Sequence, residues 1–336
     1  MELTDGILRI GEFFTVTLGI VVLFAGKRLN QAVSFLREFS IPEPVTGGLV
    51  FSVLFAIVYA VSGVAVEFML GARDVLLVYF FTTIGINASL KDLLSGGKPL
   101  VILLTITIAY MVIQNLTAVT VAGFFDGPAV AGLLGGTVSL IGGHGTAIAW
   151  APRFAEDLGI VNAMEIGIAC ATFGLILASL MGGPIAKFLI TRHKLTPDKA
   201  QAQDVGVSDE NAAKGIDAHD FLDAILAIHI CAIVGLLLNE GLAELGLKLP
   251  LFVTCLFAGI LITNLIPDNF PRISGTRWPS RTPSIALIAE VALGTFLAMS
   301  LMSMQLWTLC LLYTSPSPRD QRPNLVIRLL LENKGG

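Results

Sequence analysis

Residues 99–125, PLVILLTITIAYMVIQNLTAVTVAGFF, are 27 consecutive positions without Asp, Glu, Lys, Arg or His. A run like this restricts the fold more than any other feature, because a helix of about 20 apolar residues is what crosses the roughly 30 Å hydrocarbon core of a bilayer. Similar runs occupy 10–26, 45–66, 74–91 and 162–186, and three more lie near 221–239, 249–266 and 285–308. Only 14% of the 336 residues are charged and 54% are hydrophobic, whereas a soluble domain carries about 25% charged residues. The expected fold class is therefore an all-α polytopic membrane protein. A net charge of −4 argues against a nucleic-acid partner.

Loop charges give an orientation, since Lys and Arg concentrate in short cytoplasmic loops. With the N-terminus outside, the inner face receives Lys27, Arg28 and Arg37, then Lys91 and Lys98, then Lys187, Arg192 and Lys194. The outer face receives only Arg9, Arg73 and Arg153. The opening MELTDGILRIGE places acids where a signal peptide would be basic, so no cleavable targeting segment is expected. Residues 191–220 mix both charge signs without apolar periodicity and read as a solvated cytoplasmic linker.

One apolar segment resists a straight helix. Residues 127–152, GPAVAGLLGGTVSLIGGHGTAIAWAP, contain seven glycines and a proline near each end. Irregular backbone at membrane depth is tolerated only inside protein or beside a water-filled cavity, so this segment reads as a re-entrant or broken hairpin.

The two parts of the chain resemble each other. LREFSIPEPVTGGLVFSVLFAI from Leu36 aligns with LAELGLKLPLFVTCLFAGILIT from Leu242, with Glu38 over Glu244 and Pro44 over Pro250. FTTIGINASLKDLL from Phe81 lies over FLAMSLMSMQLWTL from Phe296. Five spans per copy is odd, so the second copy starts on the opposite side of the membrane and Arg272, Arg277 and Arg281 fall inside. The organisation expected is an inverted five-span repeat at 1–190 containing the re-entrant loop at 127–152, the linker at 191–220, and an incomplete second repeat at 221–309. Residues 310–336, which include LLYTSPSPRD, look like translated library adapter and are expected to be a non-native tail; the alternative is a natural polar tail.

A glycine run that breaks a helix leaves free N–H groups at the start of the next half, where the positive end of the dipole also favours an anion. His144 can donate a hydrogen bond to a carboxylate, and Ser139 and Thr146 add hydroxyls. The same small residues also serve close helix packing, and that reading stays open. Asn87, Asn115 and Thr172 are oxygen donors at or near mid-span, and Gln114 stands beside Asn115. Glu165 opens the fifth span, and Glu290 lies inside an apolar run where a charge costs at least about 2.5–3.5 kcal/mol. Pro42 and Pro44 set the path into the second span. Cys170, Cys231 and Cys255 lack metal-ligand spacing and read as packing residues, so no transition-metal site is expected.

IPEPVTGGL, FFTTIGINASL, GGHGTA and FLAMSLMSMQLW occur in that order, and with SLIGGHGTAIAWAPRFAEDLGI they make residues 10–309 resemble the bacterial sodium–glutamate symporters of the glutamate:sodium symporter family. The resemblance implies two inverted five-span halves, each with a re-entrant glycine-rich loop, a central cytoplasmic loop, and a homodimer in the bacterial inner membrane. It also implies that Gly142, Gly143, His144, Gly145 and Thr146, with Ser139 nearby, bind the carboxylates of L-glutamate. Sodium is then the coupling ion and no other cofactor is needed. Asn87, Asn115 and Thr172 are the candidate sodium ligands, and Gln114, Glu165 and Glu290 are further candidate polar residues.

The expected function is sodium-coupled import of L-glutamate by alternating access, without enzymatic activity. Alternatives are a carrier of another dicarboxylate such as citrate or malate, a nonfunctional fragment of a carrier, a channel, or a membrane-embedded enzyme using His144 as base. The last lacks an accompanying acid or nucleophile in the motif.

Overall fold

The computed structural model describes residues 2–4, 6–38, 41–124, 128–160, 162–194, 216–247, 249–266, 278–304 and 306. The expected tail at 310–336 and most of the linker lie outside these residues.

Every apolar run expected to span forms a helix. In chain order these are α1 (Glu12–Ala32), the short α2 (Ser34–Glu38), α3 (Glu43–Ser62), α4 (Gly71–Asn87), the short α5 (Leu90–Ser95) and α6 (Gly97–Phe124). After the glycine-rich segment come α9 (Ala163–His193), α10 (Ala218–Glu244), α11 (Leu251–Leu265) and α12 (Pro283–Met302). Among the described residues, α3, α6, α10 and α12 are long and apolar enough to cross a membrane by length and composition. The chain is a largely helical, multi-pass membrane protein.

Several boundaries follow from local chemistry. Pro42 caps α3 in extended conformation and Pro44 occupies the first turn, where a missing N–H costs nothing. Thr282 caps α12 by accepting a hydrogen bond from the Ile285 amide, with Pro283 just inside.

A small sheet accompanies the helices. Strands β1 (Glu2–Thr4) and β2 (Ile7–Ile10) pair antiparallel, and β2 pairs parallel with β3 (Ala65–Phe68) in the register Ile7 to Ala65 through Ile10 to Phe68. Ile10, Ala65 and Val66, counted among the expected spans, are strand residues instead. Strands of three or four residues at the margins of apolar runs are too short to display a period of two, and their pairing is non-local. Arg9 and Glu67 meet across this sheet at 3.2 Å, both well exposed, a geometry worth little stability.

The helices form two joined groups. α1 packs on α3, and α10 packs on α11; α12 lies against α1, α3 and α4, while α4 lies against α11. Near the end of α1, the Asn30 side-chain amide donates to the Ile41 carbonyl at 2.8 Å, immediately before Pro42. Near the end of α10, the Asn239 amide donates to the Leu249 carbonyl at 2.9 Å, immediately before Pro250. Gly26 of α1 lies against the backbone of Glu43 and Gly47 in α3, and Gly235 of α10 lies against Cys255 in α11. Similarly, α3 meets α12 at Gly48 and Leu301, and α11 meets α4 at Leu256 and Gly85.

Candidate functional site

The glycine-rich segment is broken, as its composition requires. It comprises a single turn, α7 (Ala131–Leu133), a π-turn at Leu134–Val138, and α8 (Gly143–Glu156). The discontinuity lies at Gly136, whose φ of −97° and ψ of −135° are non-helical. A side chain there would overlap the amide oxygen of Asn115 from α6. That oxygen accepts two hydrogen bonds from Thr137, one from the backbone N–H and one from the hydroxyl, each at 3.0 Å. The Thr137 carbonyl in turn accepts from the amides of Ile141 and Gly142 at 3.1 and 3.0 Å. Asn115 and Thr137 thus bond across the turn that precedes α8.

Gly143 begins α8 with φ of +71°, a left-handed conformation that favours glycine. Among the described residues no side chain caps the α8 N-terminus, so the donors of Gly143, His144 and Gly145 are not committed to a capping group there. His144 follows. It is buried, and its Nε2 lies 2.9 Å from the Thr172 hydroxyl of α9. Ser139, 2% exposed, has its hydroxyl buried without a hydrogen-bond partner among the described residues, and the same holds for the amide oxygen of Gln114. Gly167 of α9 lies against Ser139 and Ala147, so α8 and α9 approach closely around this group.

α8 seats in the core formed by both helix groups. Ile148 and Ala149 join a cluster with Val45, Leu77, Phe81, Ile168, Phe252 and Phe296, and Gly145 faces the Phe296 ring. Clefts flank it. One, about 440 Å³, is lined by Ala151, Pro152 and Ala155 of α8 with Glu67, Asn162, Glu165 and Ser303. The other, about 430 Å³ and largely apolar, lies among Val75, Leu77, Ile148, Ala149, Pro152 and Phe252. Neither is lined by Ser139 or His144.

The structure thus brings Ser139, Gly142, Gly143, His144, Gly145 and Thr146 into one broken turn, with Asn115, Gln114 and Thr172 on the two helices that flank it. Glu165 lines the polar cleft about two turns along α8 from His144. Asn87 is placed elsewhere: its side-chain oxygen accepts from the Arg281 amide at 2.7 Å, joining the end of α4 to the start of α12. Glu290 lies on the exposed face of α12 with Leu287 and Val291. The residue that sequence reasoning missed is Thr137. Nothing marks it beyond its place after Gly135 and Gly136, because its role depends on a partner from another helix.

A family model described as sodium/glutamate symporter matches residues 8–315. The chain is 35% identical over 299 residues to the sodium/glutamate symporter of Haemophilus influenzae, covering 88% of this chain and 72% of that protein. It is 36% identical over 299 residues to the sodium/glutamate symporter of Escherichia coli, covering 88% of this chain and 73% of that one. No solved structure matches the chain.

Proposed function

The chain belongs to the sodium/glutamate symporter family, and from that premise we propose that it carries L-glutamate into the bacterial cell with sodium as the coupling ion. The observation that carries this reading is 35–36% identity to proteins named for that activity, over an alignment spanning 88% of the chain.

The geometry supplies a rationale for the substrate. An uncapped half-helix start presents the backbone donors of Gly143, His144 and Gly145 and a positive dipole end to a carboxylate, with the Thr146 hydroxyl one residue on. His144, oriented by Thr172, and the unpartnered Ser139 hydroxyl add donors at the same place. Sodium takes hard oxygen ligands, and carbonyls freed at the Gly136 break are suited to it.

Alternating access follows from an inverted repeat, in which α1, α3 and α4 correspond to α10, α11 and α12. The paired Asn30 and Asn239 bonds, the Pro42 and Pro250 caps and the reciprocal contacts of α3 with α12 and α11 with α4 support it. This reading sets the two N-cap prolines, Pro42 and Pro250, over each other, whereas the sequence alignment sets Pro44 over Pro250. In this reading the broken hairpin and its clefts alternate between faces of the inner membrane, with the N-terminus outside, the linker cytoplasmic, and two copies forming a dimer.

The test is uptake of labelled L-glutamate by proteoliposomes containing the full chain. An inward sodium gradient should drive accumulation above equilibration, and replacing sodium with potassium should abolish it. Equal accumulation without sodium, or displacement of glutamate by equimolar citrate or malate, would overturn the assignment.

A further inference from the structure

Asn115 sits on a helix that buries none of its own residues among those described, yet it touches the non-helical break at Gly136. α6 packs on α7 and the π-turn, with Ala118 and Val119 against Gly132 and Asn115 against Gly136. The Asn115 oxygen has two lone pairs, and the Thr137 amide and hydroxyl both donate to it. Both acceptor sites are thereby used, which leaves none for a sodium ion. Thr137 passes the constraint on, because its carbonyl holds the Ile141 and Gly142 amides directly before the α8 N-terminus.

We propose that Asn115 is a positioning residue: through Thr137 it sets the turn from which Gly143, His144 and Gly145 present their donors, and it does not ligate sodium. The consequence for substrate rests on the carrier reading above, whereas the clamp itself does not.

Hydrogen exchange on the full chain in lipid nanodiscs reads the clamp directly. In Asn115→Ala and Asn115→Leu, amides of residues 137–142 should exchange at least about tenfold faster than in the unsubstituted protein, with α10 and α11 unchanged as the control for folding. Asn115→Asp keeps both acceptor contacts and should retain protection. Thr137→Ser keeps both donors and should do the same, while Thr137→Val loses the hydroxyl and should fall between. Unchanged exchange at 137–142 in Asn115→Ala overturns the proposal, as does faster exchange in α10 and α11 to the same degree. Glutamate and sodium titrations on the same samples separate the two readings. Positioning predicts a glutamate affinity weakened about tenfold with the sodium midpoint unchanged at saturating glutamate; a sodium midpoint raised without altered exchange would make Asn115 an ion ligand. Absence of glutamate binding by the unsubstituted protein would refute the carrier reading and leave the exchange result standing.

Discussion

His144 and Thr172 form a cross-helix hydrogen bond of 2.9 Å within a group that also holds the Ser139 hydroxyl, which has no partner among the described residues. Removing one member of such a buried pair leaves the other unsatisfied, at a cost of about 1–3 kcal/mol. Thr172→Val should therefore weaken glutamate affinity roughly five- to a hundredfold, while Thr172→Ser stays near the unsubstituted value; equilibrium binding in saturating sodium checks this. His144→Ala should lower uptake at sub-saturating glutamate with expression intact, and unchanged uptake would remove His144 from the site. The histidine was legible in the sequence because a titratable ring in an apolar, glycine-rich run has few structural uses. Thr172 was legible as a polar candidate but its pairing with His144 was not, since it lies 28 residues away and only packing of α9 on α8 brings them together.

At the scale of elements, matching asparagines join α1 to the start of α3 and α10 to the start of α11. Asn30 makes a second bond, accepting from the Thr46 hydroxyl at 2.7 Å. Asn30→Ala should thus cost more thermal stability than Asn239→Ala, by about the 0.6 kcal/mol typical of one such bond in a membrane protein. Thermal unfolding in detergent reads the order, and a larger loss at Asn239 would break the proposed equivalence of the two helix pairs. Gly136→Ala tests the hairpin break. The added methyl would overlap the Asn115 oxygen, so it should perturb the turn without unfolding α10 and α11, giving reduced glutamate binding in a protein of normal melting behaviour. Helix existence was readable from apolar runs and proline placement. The exact break was not, because seven glycines in 127–152 mark where a helix is weak, whereas the Asn115 contact decides which one yields.

For the whole molecule, orientation is the open physical quantity, and loop charge predicts it. A cysteine replacing Lys194 in a cysteine-free background should react with a membrane-impermeant maleimide only in inside-out vesicles, and one replacing Arg9 only in intact spheroplasts. Reversed labelling would overturn the topology. By itself, the sequence determined that this chain is a helical membrane protein, where its apolar helices lie, and that a glycine-rich segment interrupts them. These depend on local composition, length and the bilayer as solvent. Tertiary structure decided the rest. It added the sheet joining β2 to β3 and assigned the Asn115 oxygen to Thr137. Each of these depends on groups distant in the chain whose meeting is set by packing, and packing leaves no periodic trace in a single sequence.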